Sequence, residues 1–227
     1  MKPKDDTHVS FQHNLTAHNS TDFIWVGTRI HIKPKHTIRL WSQNVNGIDH
    51  SNNIVSLSEN LHSLARYDIQ FFGFTETNLN MSNPYIRDTL AHVVQDSLPA
   101  SRMIASSTKT DNTADYRQFG GTLSISGGSL STRVAATGRD HYGRFTWTQY
   151  FGKKSHLKIY NVYSPVRHSD NSKHDSAVWV QQRLALQQDD IHVEPIEHLL
   201  QTLLTMVDDD LANNRQVLIM GDFNTNI

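Results

Sequence analysis

The 227-residue sequence contains no cysteine. Disulfide scaffolds, thiolate-bound zinc and thiol nucleophiles are therefore excluded, and nothing in the chain reflects an oxidising exterior. Long apolar runs are missing too. The longest aliphatic stretches, such as Val217 to Met220, fall far short of the ~20 residues of a membrane-spanning helix. The N-terminus, MKPKDDTHVS, carries acids where a secretory signal would begin its apolar segment. These absences predict a soluble, non-secreted, intracellular protein, nuclear or cytoplasmic, with no membrane partner. No excess of charge of one sign exists either: 21 Lys plus Arg stand against 22 Asp plus Glu, which excludes a histone-like binder but leaves room for a localised basic face. Fourteen histidines are many, yet none forms an HExxH or HxH arrangement backed by acids, so a histidine-built metal site is not expected.

What is present is enough apolar material, 37% of residues, for one large domain or two small ones with a true core. Charge is unevenly spread. Residues 166–227 hold four Lys or Arg against ten acids, whereas residues 1–165 hold seventeen against twelve. Clusters at Lys33, Lys35 and Arg39, at Arg139 and Arg144, and at Lys153, Lys154, His156 and Lys158 would suit a polyphosphate partner. An ordinary solvated surface is the competing reading.

Residues 1–36 are polar and rich in His and Asn, and read as an irregular extension in which Phe23 to Val26 is the one short apolar piece. From Thr37, TIRLWSQNV alternates as a half-buried strand does and ends at the turn signal Asn46-Gly47. Ile54, Leu57, Leu61 and Leu64 trace an amphipathic helix, and DIQFFGF reads as a buried strand ending at Thr75-Glu76. Ser106 to Asp115 is expected to be an exposed polar loop. GGTLSIS, GRFTWTQYF and LKIYNVYSP are expected as consecutive antiparallel strands. Pro195 opens a helix with an apolar face of Ile196, Leu199, Leu200, Leu203, Leu204 and Val207, closed by Asn213 and Asn214. VLIMGDFN then reads as an apolar strand breaking at Gly221.

At four strand ends stand polar groups able to meet a hard cation or a phosphate: Asn44 with Asn46, Glu76, Tyr163, and Asp222 with Asn224. Each alone is most simply a turn residue or a packed aromatic. Taken together they suit phosphodiester cleavage, which needs a cation to neutralise phosphoryl charge, a group to orient and deprotonate water, and donors for the phosphate. A carboxylate such as Glu76 suits magnesium, and an ionised Asp222 accepts only, so it can align water. The Asn amides and the Tyr163 hydroxyl donate without adding negative charge.

The ordered series SQNVNGI, FTETN, FGGTLSI, GRFTW, IYNVYSP and LIMGDFN resembles the endonuclease/exonuclease/phosphatase superfamily, over about Thr37 to Ile227. The resemblance implies an α/β fold, a two-layer β-sandwich flanked by helices of DNase I-like type. It implies Glu76 as principal metal ligand with Asn44 and Asn46 beside the metal, and Asn44 near the phosphate. Asp222 would position the nucleophile, Asn224 contact the scissile phosphate, and Tyr163 bind or orient it. Gly120-Gly121 would begin a core strand under close packing, and Arg144 would be structural or phosphate-side. The cofactor implied is magnesium, with manganese as substitute, and the partner is nucleic acid, DNA first, acted on by a monomer.

Superfamily members continue past the GDFN motif through further strands to a closing Asp-His pair, which this sequence does not show after Ile227. Asp49-His50 and Asp140-His141 both precede GDFN and are poor substitutes. The expectation is a partial domain over residues 37–227, incomplete at the C-terminus and weakly active or inactive alone. Its function would be that of a metal-dependent DNA endonuclease of retroelement or repair type. The alternatives are a phosphatase of inositol phosphates or nucleotides, and an inactive nucleic-acid-binding fragment.

Overall fold

In the computed structural model the described residues are 33–48, 53–166 and 176–224. Residues 1–32, Asp49-His50 and the last three positions lie outside them, and with them most of the expected extension. The elements below belong to one unit within Ile32–Ile227.

The apolar run FFGFT makes β2 (Phe71–Thr75), buried at every position. It pairs in parallel with β1 (Leu40–Asn44), and α1 (Asn53–Ala65) supplies the crossover that a parallel pair requires. Leu57, Leu61 and Leu64 are buried as their spacing predicts. Alternation from Thr37 overstated β1: the strand starts at Leu40 and its last three residues are exposed, because it is an edge paired only with β2.

Helix α2 (Pro84–Ser97) has a local cause that the sequence reading passed over. Asn83 Oδ1 accepts from the backbone N–H of Tyr85 at 2.9 Å, Pro84 occupies the first turn, and Ile86, Leu90 and Val94 turn inward. With α1 it covers the outer face of the first sheet, against Phe72, Phe74, Leu123 and Ile125. That sheet, in the order β1-β2-β4-β3, is completed by β3 (Arg102–Ser106) and β4 (Thr122–Ser126).

The second sheet runs in chain order: β5 (Val134–Arg139), β6 (Phe145–Tyr150), β7 (His156–Tyr163) and β8 (Arg215–Asp222). TLSIS is therefore not the neighbour of GRFTWTQYF. It pairs with β2 and β3, and a short helix α3 (Gly128–Ser131) and β5 intervene before β6. The alternation of TLSIS explains the placement. Leu123 and Ile125 face the helices, while Ser124 Oγ meets Thr146 Oγ1 at 2.7 Å and Ser126 Oγ meets Tyr150 Oη at 2.6 Å across the two sheets. Buried Asn161 on β7 donates to the carbonyls of Phe74 and Leu123 at 3.0 and 3.1 Å. Gly73 leaves it room, since a Cβ there would stand 2.8 Å from its Oδ1. The inter-sheet layer is thus cross-linked by hydrogen bonds as well as packed around Phe71, Leu130 and Ile159.

The exposed loop expected over Ser106 to Asp115 begins later. Ser106 ends β3 fully buried and Thr108 is buried, whereas Lys109 and Asp111 to Asp115 are exposed. β8 also differs from expectation. It passes through Gly221 to Asp222, and the left-handed φ of +136° at Gly221, with a Cβ position 1.9 Å from the Val162 carbonyl oxygen, admits no side chain there.

Between β7 and β8 the chain forms α4 (Ala177–Gln188) and α5 (Pro195–Ala212). Only part of the α5 face expected to be apolar is covered: Leu199 and Leu203 pack on Phe145, Tyr160 and Val162, while Leu200 and Leu204 are 49% and 63% exposed. The rotation of the helix is matched by a polar pin. Asp210, fully buried, accepts from Tyr160 Oη at 2.6 Å, Arg215 Nη1 at 2.8 Å and Lys158 Nζ at 3.0 Å, and the ammonium lies 4.2 Å from the Trp147 ring centre. Burial alone would raise the Asp210 pKa, but these three donors outweigh it and hold the carboxyl below its ordinary value.

Asp210→Ala leaves Lys158 buried without its carboxylate and is expected to cost about 3 kcal/mol in denaturant unfolding. Because the folded-state pKa is lowered, this contribution is present above the unfolded carboxyl pKa near ~4 and fades as pH falls through the folded value. The stability gap between wild type and Asp210→Asn should accordingly shrink on acidification below about pH 4. A gap that widens there would contradict the assignment.

Candidate active site

The C-terminal ends of β1, β2, β7 and β8 meet at one end of the sandwich, and the parallel registers Asn44 with Thr75 and Tyr163 with Asp222 bring the four predicted strand ends together. Asn44 is the junction. Its Nδ2 donates to Glu76 Oε2 at 2.8 Å and to Asp222 Oδ2 at 2.7 Å, linking residues 178 positions apart. Its Oδ1 accepts from the backbone N–H of Asn46 at 2.9 Å, which fixes the orientation of the amide. Asn46 thus enters the site through its backbone, with its side chain exposed on the turn.

Glu76 has a left-handed φ of +56°, a conformation that costs a residue with a long side chain about 1 kcal/mol. Bonds on both sides impose it. Gly47 N–H donates to the Glu76 carbonyl and Ile48 N–H to that of Thr77, both at 2.7 Å, while Asn78 N–H reaches the Gly120 carbonyl at 2.7 Å. Gly120 N–H returns a bond to Asn78 Oδ1 at 2.8 Å. Asn78 is a positioning residue visible in FTETN but not singled out from sequence. The expected close packing at the glycine pair is present: a Cβ on Gly121 would stand 2.7 Å from Thr77 Oγ1, and one on Gly120 would stand 3.4 Å from the Tyr163 ring.

Tyr163 is buried beside this cluster. Burial first, and then the negative charges of Glu76 and Asp222, push its phenol well above the ordinary value. Asp222 Oδ1 accepts from the backbone N–H of Asn224 at 3.1 Å, so both carboxylate oxygens are held. The Asn224 amide donates to the Ser164 carbonyl at 2.8 Å, a partner with no signal in the sequence. Two carboxylates converging on one amide nitrogen make an oxygen-rich donor set of the kind magnesium or manganese accepts with several waters. Among the described residues no group of three or more His, Asp or Glu gathers.

Two of the three basic clusters of the sequence lie elsewhere, while Arg139 and Arg144 stand at this end, Arg139 donating to the Ala105 carbonyl at 3.1 Å and the Arg144 carbonyl accepting from the Tyr163 N–H at 2.7 Å. Lys153, Lys154 and His156 lie at the start of β7, an eight-residue strand away from Tyr163, or roughly 25 Å. Lys158 is spent on Asp210, and Lys33 pairs with Asp68 at 2.6 Å near the start of β2. Arg144 is structural rather than phosphate-side: 1% exposed, it pairs with Asp140 and reaches His198 Nδ1 at 2.9 Å. The Asp140 carboxylate is thereby committed to Arg144.

No family model matches the sequence, and no curated protein matches it. Solved structures are similar in chain path. An endonuclease/exonuclease/phosphatase family protein from Leptotrichia buccalis is 14% identical, with 84% of this chain and 67% of that one covered at a TM-score of 0.49. TDP2 from Caenorhabditis elegans is 12% identical over 83% of this chain and 48% of its own, with a TM-score of 0.49. A mannosyl-6-phosphatase from Bacteroides thetaiotaomicron is 11% identical over 84% and 67%, with a TM-score of 0.46. The chain thus spans between about half and two thirds of these proteins. The architecture itself is α/β: two four-stranded mixed sheets, face to face, flanked by helices.

Glu76→Asn keeps a residue at home in the left-handed region and removes one of two adjacent negative charges. Its thermal midpoint should equal or exceed that of wild type. A clear fall would mean that Glu76 is there for stability rather than chemistry.

Proposed function

We propose that this end of the sandwich hydrolyses phosphodiesters of nucleic acid, DNA in the first instance, as a magnesium-dependent endonuclease. The observation that carries the reading is the single Asn44 amide donating to both Glu76 and Asp222. It assembles, from strands of two sheets, the acceptor groups that the reaction needs. The sequence resemblance to the endonuclease/exonuclease/phosphatase superfamily supports it from the motifs.

Glu76 and Asn46 would hold the cation, which when bound neutralises charge on the phosphoryl oxygens. Asp222, its oxygens fixed by Asn44 and the Asn224 N–H, directs its remaining lone pairs at a water and accepts its proton. Asn224 has a second amide hydrogen for the phosphate beyond the one given to Ser164. Tyr163, kept protonated, donates its hydroxyl to a phosphoryl oxygen, and Asn44 bridges the two carboxylates beside it. Among the described residues no imidazole or free cation joins this cluster to stabilise leaving charge.

The test pairs a binding readout with a chemical one. Manganese binding followed by electron paramagnetic resonance should be present in wild type and weakened at least tenfold by Glu76→Gln. Nicking of supercoiled plasmid should depend on magnesium or manganese and be lowered ~100-fold by Asp222→Asn. Inositol phosphates serve as the competing substrate. Metal binding indifferent to Glu76→Gln, or faster turnover of inositol phosphates than of DNA, overturns the assignment. Because the Tyr163 phenol is displaced upward, any activity should show no loss from its ionisation up to pH 10. Tyr163→Phe should reduce the rate without altering the pH profile in that range.

A further inference from the structure

A groove of about 720 Å³ opens between the 108–119 loop and α4, at the same end of the sandwich as the Asn44 cluster. The two adjoin through consecutive residues, for Phe119 lines the groove and Gly120 packs on the Tyr163 ring. The volume falls in the range of small-ligand pockets. Its wall is held firmly. Asn80 N–H donates to the Tyr116 carbonyl at 3.1 Å and Gln118 N–H to the Asn78 carbonyl at 3.2 Å, strapping the loop to the Glu76 turn. Gln181 Nε2 on α4 donates to Thr108 Oγ1 and the Phe119 carbonyl at 2.8 and 3.0 Å, closing the floor.

Two large apolar side chains stand in this rigid groove without cover: Phe119 is 44% exposed and Leu184 52%. The Arg117 guanidinium lies 5.3 Å from the Phe119 ring centre, and Lys109 and His141 stand on the same lining. Three acids share the lining, Asp111, Asp115 and Asp189, of which Asp189 accepts from the Tyr142 hydroxyl and Asp115 from the Asn112 amide, both at 2.6 Å, so the aromatic surface rather than net charge distinguishes the groove. An exposed aromatic backed by Arg is the arrangement on which a nucleobase stacks. An intact duplex presents phosphates and sugars to such a wall and leaves the aromatic ring without a partner. An unpaired strand offers a base face.

We propose that this groove binds an unpaired nucleotide adjoining the scissile phosphate, stacked on Phe119, so that the preferred substrate is single-stranded or frayed DNA rather than intact duplex. The inference rests on the phosphodiester reading of the Asn44 cluster for its orientation. Its test does not require hydrolysis.

Fluorescence anisotropy in EDTA compares a single-stranded oligo(dT) with a hairpin duplex carrying the same number of phosphates. The single strand should bind about tenfold more tightly, and Phe119→Ala should remove that preference, with a loss of about tenfold on the single strand and little change on the duplex. Lys109→Ala should weaken both and flatten the salt dependence. Phe151→Ala, an exposed aromatic beyond β6 at the opposite end, should change neither. Cleavage by the wild type, measured in parallel with magnesium, separates the two proposals: binding in EDTA without metal-dependent cleavage retains the groove and refutes the hydrolase. Equal or tighter binding of duplex, or indifference to Phe119→Ala, overturns the groove.

Discussion

The candidate site depends on how closely the ends of β1, β2 and β8 are drawn together by the Asn44 amide. Two carboxylates of like charge, one from each sheet, share that amide nitrogen at 2.8 and 2.7 Å. Without a shared donor their repulsion would spread the strand ends apart. The bonds behind the amide follow from this demand. The Asn46 N–H orients it, the bonds at Gly47 and Ile48 force Glu76 into a left-handed turn, and Gly120-Gly121 let β4 approach that turn from the other side. Strain at Glu76 is thus countered by backbone bonds.

The same constraint explains the unusual layer between the sheets. A purely apolar interface would allow the sheets to slide, and sliding would separate Glu76 from Asp222. Instead Asn161 reaches across to two backbone carbonyls, and the Ser124–Thr146 and Ser126–Tyr150 pairs set the register at fixed points. At the outer face, Asp210 locks α5 to β7 and β8 in a comparable way, with Lys158, Tyr160 and Arg215 converging on one carboxylate.

Much of this was legible in sequence wherever one physical signal dominated. FFGFT could only be a buried strand, the Leu57, Leu61 and Leu64 spacing only a helix face, and the motif order pointed to a two-sheet α/β sandwich. The convergence of Asn44, Glu76, Tyr163, Asp222 and Asn224 was likewise expected from their places at strand ends. What escaped depended on partners distant in the chain. TLSIS is expected beside GRFTWTQYF because the two are neighbours in sequence, whereas its Ser side chains bond to hydroxyls of the opposite sheet and its backbone pairs with β2 and β3. The basic clusters suit a polyphosphate partner on sequence alone because spacing does not reveal that Lys153 and Glu76 lie at opposite ends of the sandwich, or that Arg144 and Lys158 are buried in ion pairs. Helix α2 went unread although Asn83-Pro84 carries both a cap and a start signal.

The central claim is that Asn44, Glu76 and Asp222 act as one cation-responsive unit. The most direct measurement follows the side-chain amide signal of Asn44 in a proton–nitrogen correlation spectrum as magnesium is added. The account predicts that this signal shifts along a saturable curve, and that Asp222→Asn and Glu76→Gln each abolish the shift. An Asn44 signal that stays in place while magnesium binds elsewhere, or that shifts equally in both variants, would contradict it.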